Sequence, residues 1–408
     1  MFLVYINDIS TKLITHAHLF ADDTTLVEVV NSPVISINNI NSDLHTLSQW
    51  ADQWRVTFNP NKTKYMRISN KANKVPLQDI ELNGTKIEEV CKFTNLGLTL
   101  NNKLNWSNHI ENIVNRASSR LNMLSKVRFV IPRLALIQLY ISMIRPILEY
   151  ASIIYNNCTL SMGQSIERIQ RRAAILCTGA YRHTEYQTLL RELGWYSLSD
   201  RRQHHSLFTY YRLINGGGPE HLSTLIPNFV GDHTNYNLRN RRNIRYNHST
   251  SERTHKSFFS RTTRIWNKLP LNIRESPSLS VFKNRICPKL TTPTYFTLCS
   301  GKYGVQLTRL RLGLSALNAH RFKYNFIDSP VCSLCNRETE STTHFFFKCP
   351  AHDNAREILI ENLTNDLHLD ITDTTKVLQI LLYGTQYEDE NQLLLHIIYD
   401  YLQNTDRF

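Results

Sequence analysis

Apolar and polar positions alternate in the first quarter of the chain and follow a helical period in much of the remainder. Residues 14–30 predict a β-hairpin, because two short apolar runs flank the polar turn Ala21-Asp22-Asp23-Thr24. Over residues 37–54 the apolar side chains recur at steps of three and four, which indicates an amphipathic helix. Short strand-like runs follow over residues 64–100, and an Asn83-Gly84 turn separates two of them.

After Trp106 the pattern becomes helical. Apolar residues from Ile110 to Val127 share one face, Pro132 opens a further helix, and residues 164–177 predict another. Gly- and Thr/Pro-containing linkers occur at 216–219 and 291–293. The pattern therefore predicts an α+β protein, and we expect its parts to divide near these breaks, at residues 1–105, 106–215, 216–295 and 296–408.

Composition restricts the class of protein. The chain has 408 residues, of which 41% are hydrophobic and 20% are charged, so it has globular composition and room for two or three domains. No apolar run approaches the roughly 18 residues that span a bilayer, and the first residues lack a secretory signal. Eight scattered cysteines do not form a disulfide scaffold. We expect a protein of a reducing compartment, nuclear or cytoplasmic, and neither secreted nor bound to a membrane.

The net charge of +13 is concentrated in one segment. Residues 237–289 contain 13 Lys and Arg against two Glu, a local net charge of +11, whereas residues 353–408 contain three bases against 11 acids, or −8. Aromatic residues are interleaved with the bases, which suits phosphate contact together with base stacking. The alternative is a solvated basic face whose aromatic residues belong to the core. We expect nucleic-acid contact, and the candidate residues are Arg239, Arg241, Arg242, Arg245, Arg261 and Arg264.

Two adjacent aspartates occupy the predicted hairpin turn. Asp22 and Asp23 repel one another unless cations neutralise them, and Mg²⁺ takes hard oxygen ligands of this kind. Two such ions can activate an attacking hydroxyl and stabilise a leaving oxygen in nucleotidyl transfer. A polar hairpin tip without metal is the common alternative, because Asp favours turn conformations.

The surroundings of the aspartates resemble the active-site region of reverse transcriptases from non-LTR retrotransposons. The resemblance continues along most of the chain, and the order and spacing of its motifs make it specific. The matching strings are FLVYINDI at 2–9, LFADDT at 19–24, FNPNKTK at 58–64, NLGLTL at 95–100, LNW at 104–106, WNKLP at 266–270 and SLSVFK at 278–283.

This resemblance implies a fold, a reaction and roles for individual residues. It implies a partial palm hairpin and sheet, a helical thumb, a basic connector and a small α-rich C-terminal domain. Asp22 falls on the direct Mg²⁺ ligand of the palm and Asp23 on a supporting one. Lys62 falls on a palm lysine that can assist the leaving pyrophosphate, although an exposed loop lysine is an equal alternative. The implied reaction is RNA-templated DNA synthesis, with an RNA template and a DNA primer or target as partners.

The sequence departs from the family pattern at its front. The fingers and the strand that carries the third metal-binding aspartate precede the 2–9 motif in the family, and no segment here matches them. We therefore expect a C-terminal fragment of such a polymerase, inactive alone. The alternative is a non-enzymatic nucleic-acid-binding relic.

A second group of candidate ligands lies near the C-terminus. Cys332, Cys335, His344 and Cys349 have the spacing Cys-x2-Cys-x8-His-x4-Cys, which suits a closed tetrahedral Zn²⁺ site. His352 is an alternative fourth ligand, and a buried Cys pair with a surface His is the alternative without metal. The segment resembles the zinc-knuckle-like CCHC module that follows the polymerase in non-LTR elements, which implies contact with RNA or target DNA. A purely structural role remains open because the adjoining tail is acidic.

Overall fold

The computed structural model describes residues 6–69, 79–233, 241–246, 251–290, 293, 295–298 and 301–408. Residues 2–5 of the first motif and Arg239 of the candidate nucleic-acid set lie outside these ranges. The chain divides into two compact units, Met1–His109 and Ile110–Phe408. Helices dominate and the described strands lie in the first unit, so the architecture is α+β as predicted. Palm, thumb and the four-part division stay predictions.

The predicted hairpin is confirmed. Strand β1 (His16–Phe20) and strand β2 (Asp23–Val27) pair in antiparallel register, and the last residue of β1 faces the first of β2. The turn therefore contains only Ala21 and Asp22. Ala21 adopts a left-handed φ of 52°, a conformation that strains a residue with a Cβ atom. The turn is thus tighter than the four-residue tip that the sequence predicts.

The two faces of the hairpin differ in burial, since successive side chains of a strand point to opposite faces. Leu19 and Leu26 point inward and pack against the core of the first unit. His16, His18 and Phe20 lie on the opposite face and are exposed. The inward pair anchors the hairpin and leaves its turn at the surface.

Helix α1 (Pro33–Trp54) supplies most of the core on which the hairpin rests. It begins with Pro at its first position and ends at Arg55, which is left-handed with φ 55°. Its buried apolar residues follow the predicted period of three and four. They form one cluster with an apolar residue that precedes the hairpin and with apolar residues of the segment 80–87: Ile9, Ile37, Leu44, Leu47, Ile80, Leu82 and Ile87.

The remaining strands of the first unit form separate short ladders. They are β3 (Lys64–Tyr65), β4 (Glu81–Leu82), β5 (Thr85–Lys86), β6 (Glu88–Glu89), β7 (Lys92–Asn95) and β8 (Leu98–Asn101). β4 pairs with β5 and β7 with β8 in antiparallel hairpins, whereas β3 pairs with β6 in parallel. Within the described ranges the sheets are two-stranded, β1–β2 included, and no continuous palm sheet is formed.

A buried carboxylate fixes the start of the hairpin. Asp43 on α1 is 1% exposed, and its two oxygens accept hydrogen bonds from the backbone N–H of Ile14 and Thr15, both at 2.8 Å, and from Thr15 Oγ1 at 2.7 Å. Asp8 is also used internally, since its Oδ1 accepts a hydrogen bond from Trp50 Nε1 at 3.0 Å. Both acids therefore position the chain that leads into β1.

The second unit is helical. Three consecutive helical pieces run from Arg133 to Glu149, the middle one a π-helical turn (Tyr140–Ile144). The α-helices are α2 (Ser107–Lys126), α3 (Arg133–Leu139), α4 (Arg145–Glu149), α5 (Ser152–Tyr155), α6 (Leu160–Thr178), α7 (Tyr186–Leu193), α8 (Leu198–Ile214), α9 (Glu220–Ser223), α10 (Glu252–Lys256), α11 (Phe258–Lys268), α12 (Leu271–Arg274), α13 (Leu279–Ile286), α14 (Tyr295–Leu298), α15 (Gly301–Arg311), α16 (Asn318–Lys323), α17 (Asp353–Asn365), α18 (Thr374–Tyr383) and α19 (Glu388–Thr405). Shorter turns are the 3₁₀ segments Val230–His233 and Pro350–His352 and the π-helical His344–Lys348.

None of the described helices has the length and apolarity that crossing a membrane requires.

A buried arginine joins distant helices of this unit. The guanidinium of Arg133 donates to the carbonyls of Cys177 and Thr178, at the C-terminal end of α6, and to Gly304 O and Thr308 Oγ1 on α15. A cation at the C-terminal end of a helix is favoured by the helix dipole. Arg133 therefore holds α3, α6 and α15 together, although 171 residues separate it from Gly304.

The segment predicted as a basic connector is folded over α8. Trp266 of α11 and Phe282 of α13 are buried against Tyr210 and Tyr211 of α8. The tyrosine hydroxyls are bonded within this cluster, Tyr210 to Thr263 Oγ1 and Tyr211 to the carbonyl of Ser276. The aromatic residues of the segment thus belong largely to a core.

Removing the Asp43 carboxylate tests the anchor of the hairpin. We expect Asp43→Ala to destabilise the first unit by about 2–4 kcal/mol, because three donors lose their charged acceptor. Hydrogen–deuterium exchange of the full chain should show faster exchange over residues 14–27. Asp52→Ala, at an exposed position of the same helix, is the control and should leave the rate unchanged. Equal protection in both variants would contradict this role.

Candidate metal centre and nucleic-acid interface

The four predicted cysteine and histidine ligands come together. Cys332 and Cys335 lie in a tight turn whose backbone is closed by Asn336 N–H donating to Cys332 O at 2.8 Å and by Cys332 N–H donating to Glu338 O at 2.9 Å. Asn336, directly after Cys335, has a left-handed φ of 54° and belongs to the same turn. His344 begins the π-helical turn His344–Lys348.

The separations of the donor atoms suit a tetrahedral metal ion. The four donor atoms of Cys332, Cys335, His344 and Cys349 lie within 4.8 Å of one another. Sγ of Cys332 and Cys349 are 3.9 Å apart, and Cys335 Sγ lies 3.4 Å from His344 Nε2. Zn–S and Zn–N bonds of ordinary length at a tetrahedral angle predict about 3.8 Å and about 3.5 Å for such pairs. The sulfurs are too far apart for a disulfide and the cysteines are free.

The surroundings of Cys335 favour the thiolate form of its side chain. A hydrogen bond from the backbone N–H of Arg337, the largest influence, helps lower the pKa of Cys335 to about 7. Burial raises the pKa of Cys349 to about 11, a cost that a bound cation would offset. Thiolates are the form in which cysteine binds zinc. The donor chemistry therefore fits Zn²⁺.

Nε2 of His344 faces the cysteines and lies 3.4 Å from Cys335 Sγ. Its buried Nδ1 has no hydrogen-bond partner within the described residues, and Oε2 of Glu338 lies 3.5 Å from it. His352, the alternative ligand, lies outside this four-residue group and packs edge-on against Phe345. Phe345 and Phe346 are buried, so they form core rather than a stacking surface.

The acidic tail supports the candidate metal centre, a role that the sequence did not suggest. Glu340, 1% exposed, lies in the loop between the second and third ligands and receives a bidentate pair of hydrogen bonds from Arg407, at 2.6 and 2.9 Å. Tyr401 on α19 donates to Phe345 O at 2.6 Å. The sequence gives no indication of this pair, because Glu340 and Arg407 belong to no repeating pattern and are 67 residues apart. Only the contact in the structure identifies it.

Asp22 and Asp23 lie where the sequence placed them, at an exposed turn. Asp22 occupies the second turn position and Asp23 starts β2, so their backbones are adjacent and both side chains are exposed. Within the described ranges no third acidic residue joins them in a group of metal-ligating side chains. Their roles as Mg²⁺ ligands stay predictions.

Lys62 lies in a compact loop after α1. Oδ1 of Asn59 accepts hydrogen bonds from the backbone N–H of Asn61 and Lys62, at 3.0 and 3.2 Å, and fixes the turn. The Lys62 side chain is exposed. Its catalytic role stays a prediction beside the alternative of an ordinary loop lysine.

The basic segment divides into exposed and internally bonded arginines. Arg241, Arg242 and Arg245 are exposed, although Arg242 forms an ion pair with Glu275. Arg261 and Arg264 of α11 are only partly exposed, and both donate to backbone carbonyls of the protein. Nucleic-acid binding by this set of arginines stays a prediction. Arg241, Arg242 and Arg245 are exposed, as phosphate contact requires.

The chain is reverse-transcriptase-like, which confirms the resemblance that its motifs indicate. It is similar to the RNA-directed DNA polymerase from mobile element jockey of Drosophila melanogaster, with 26% identity over 187 residues, 45% of this chain and 20% of that protein. It is also similar to the probable RNA-directed DNA polymerase from transposon BS of the same organism, with 24% identity over 193 residues, 46% of this chain and 21% of that protein. The match thus spans about one fifth of each relative. No family model and no solved structure matches the chain.

Loss of the paired sulfurs should abolish metal binding. We expect Cys332→Ser combined with Cys335→Ser to lose stoichiometric Zn²⁺, because two of four ligands disappear. Elemental analysis of purified protein measures this. Cys91→Ser, at an exposed cysteine outside the cluster, is the control and should keep the wild-type zinc content. The same content in the double variant would reject the site.

Neutralising the exposed arginines tests the basic segment. We expect Arg241→Gln, Arg242→Gln and Arg245→Gln together to weaken RNA binding and to reduce the salt slope by about 0.7 for each lost phosphate contact. Anisotropy of a labelled 20-nucleotide RNA measures both. The control neutralises the exposed Arg116, Lys126 and Arg128 instead. An unchanged slope in the first triple variant would rule out phosphate contact there.

Proposed function

We propose that this chain contributes the metal-binding turn of the palm, the thumb and a zinc-stabilised end domain to an RNA-directed DNA polymerase of a non-LTR retrotransposon. The observation that carries the proposal is the similarity to two transposon polymerases, together with an exposed Asp-Asp hairpin turn of the geometry described above. The alternative of a non-enzymatic nucleic-acid-binding relic is not favoured by these comparisons.

In the proposed site, Asp22 and Asp23 are the acidic ligands that this chain supplies. Magnesium, when bound, would activate the primer 3′-hydroxyl and stabilise the leaving pyrophosphate oxygen. Asp22, within the turn, acts as the direct ligand and Asp23 as a supporting one. The inward packing of Leu19 and Leu26 holds the turn in place, since a rigid support positions ligands better than a free loop.

The proposal includes a requirement for a further carboxylate. Two adjacent acids on one turn organise a pair of divalent ions poorly, because several oxygen ligands must surround each ion. In the described part of the chain, Asp8 and Asp43 are already engaged by Trp50 and by Ile14 and Thr15. We therefore propose that the missing ligand and the nucleotide-binding segments come from additional polymerase sequence, and that the chain alone does not extend a primer.

The proposal assigns nucleic-acid contact and zinc binding to different residues of the chain. An RNA template and a DNA primer are the partners that the similarity suggests, and the exposed arginines of the basic segment provide phosphate contacts. The four cysteine and histidine ligands would hold a Zn²⁺ that stabilises the end domain. A catalytic role is not proposed for it, because four protein ligands leave no open position on the metal.

The proposal is tested by replacing the matching segment of the jockey polymerase with this chain and measuring primer extension on an RNA template. We expect extension by the hybrid, and we expect Asp22→Asn to lower kcat by roughly 10²–10³-fold, the size typical of losing one preorganised electrostatic contact. Asp52→Asn, which removes the same charge from an exposed helix position, is the control. Full activity of the Asp22→Asn hybrid, or extension by this chain alone, would contradict the proposal.

A further inference from the structure

Two neighbouring apolar side chains project into solvent from the turn between α2 and α3. Phe129 is 85% exposed and Val130 is 84% exposed, and among the described large apolar residues only Leu160 is as exposed. The turn is ordered, because the backbone N–H groups of Val130 and Ile131 both donate to Val127 O, at 3.0 and 3.1 Å. Contiguous apolar side chains that a protein holds in water mark interaction sites.

The exposed apolar area continues from the turn onto one face of α2. Arg120, Met123 and Val127 recur at steps of three and four, so they share one face of the helix. Met123 is 67% exposed on this face. Nη1 of Arg120 donates to the carbonyl of Met143 at 2.8 Å, which brings the half-exposed Met143 of the neighbouring π-helical turn beside it.

The surroundings of these apolar residues are basic. Residues 107–131 contain four Lys and Arg against one Glu. The guanidinium carbon of Arg128 lies over the Phe129 ring, 4.5 Å from its centre. We call this the basic apolar surface, and it consists of Arg120, Met123, Val127, Arg128, Phe129 and Val130.

The composition of the basic apolar surface suits a protein partner. Arg, Met and aromatic residues are enriched in protein–protein interfaces. Base stacking on a single strand uses successive aromatic rings, whereas this surface has one ring among aliphatic side chains. Its positive charge requires a partner surface that is acidic and also partly apolar.

The acidic tail of the same unit presents such a surface around the start of α19. Tyr383 and Tyr387 are 61% and 57% exposed at the two ends of the loop between α18 and α19, and Leu393 is 39% exposed. Asp389 is exposed one helical turn before Leu393, so the two share one side of α19. Residues 353–408 have a net charge of −8. We call Tyr383, Tyr387, Asp389 and Leu393 the acidic apolar surface.

The loop that carries the two tyrosines is held in one conformation. Oδ1 of Asn391 accepts a hydrogen bond from Thr385 N–H at 2.7 Å, and its Nδ2 donates to Thr385 O at 3.0 Å. Gly384 has φ of 83°, and a Cβ atom there would lie 2.5 Å from Oδ1 of Asn391, so the position requires glycine. A surface that is already ordered loses little entropy when it binds.

We propose that the basic apolar surface of one copy of this chain binds the acidic apolar surface of a second copy. Both surfaces are exposed in the single chain, so neither covers the other. The contact joins two different surfaces and is therefore head-to-tail, which leaves one free surface at each end of a dimer. Association then continues into a closed ring or an open chain. This self-association goes beyond the proposed polymerase function and does not depend on it.

Sedimentation velocity of the full chain provides the first test. We expect the weight-average mass of the wild type to rise above that of one chain between about 5 and about 200 μM, the range of a weak and reversible contact. Raising the salt concentration from about 50 to about 500 mM should weaken association several-fold, because salt screens exposed charges. A wild type that stays monomeric over this range would overturn the proposal.

Two double variants test the direction of the contact. Arg128→Gln with Phe129→Ser disables the basic apolar surface, and Asp389→Asn with Leu393→Ser disables the acidic one. Each variant alone should be monomeric, because each keeps only one half of the contact. An equimolar mixture should form dimers of one copy of each and nothing larger, since the two intact surfaces meet once and the disabled surfaces end the chain.

Leu160→Ser with Arg168→Gln is the matched control, because it removes an equally exposed leucine and one exposed positive charge elsewhere in the same unit. It should associate as the wild type does. Association of either disabled variant alone, or a monomeric mixture of the two, would refute the head-to-tail contact. A monomeric wild type whose binding of a labelled 20-nucleotide RNA is lost with Phe129→Ser would assign the basic apolar surface to nucleic acid instead.

Discussion

Burying a charged side chain in a protein is costly unless hydrogen bonds replace its water, and this constraint determines which segments of the chain are joined. Asp43 obtains its donors from the loop before the hairpin, 29 and 28 residues away. Arg133 obtains acceptors from the end of α6 and from α15, and Glu340 obtains Arg407 from beyond α19. Each of these buried charges thus fixes a contact between distant elements. Asp43 supports the hairpin that carries Asp22 and Asp23, and Glu340 supports the candidate metal centre.

Local features of the fold could be predicted because they depend on periodicity and turn chemistry. Alternation predicted the β1–β2 hairpin, the three-and-four spacing predicted α1, and the Asn83-Gly84 pair predicted a turn in which both residues are left-handed. The cysteine and histidine spacing predicted a cluster that the structure brings together. Ligand spacing is a local property, since a metal site of this kind is built within one short segment.

Long-range features could not be predicted in the same way. The sequence favoured base stacking for the aromatic residues of the basic segment over a place in the core, and only the packing of Trp266 and Phe282 against Tyr210 and Tyr211 of α8 shows that these two belong to the core. The sequence also suggested a partial sheet where the described residues form two-stranded ladders. Strand pairing depends on partners far along the chain, and a two-residue strand such as β3 carries too little pattern to identify its partner.

The contact between residues 407–408 and the candidate metal centre has a practical consequence. Phe408 packs edge-on against Phe345, and Arg407 forms its ion pair with Glu340, both within the loop and turn that carry the cysteines and His344. Loading of the cluster and order at the C-terminal end are therefore linked equilibria. A fluorophore attached near residue 408 would report metal occupancy in real time, without any assay of nucleic-acid chemistry.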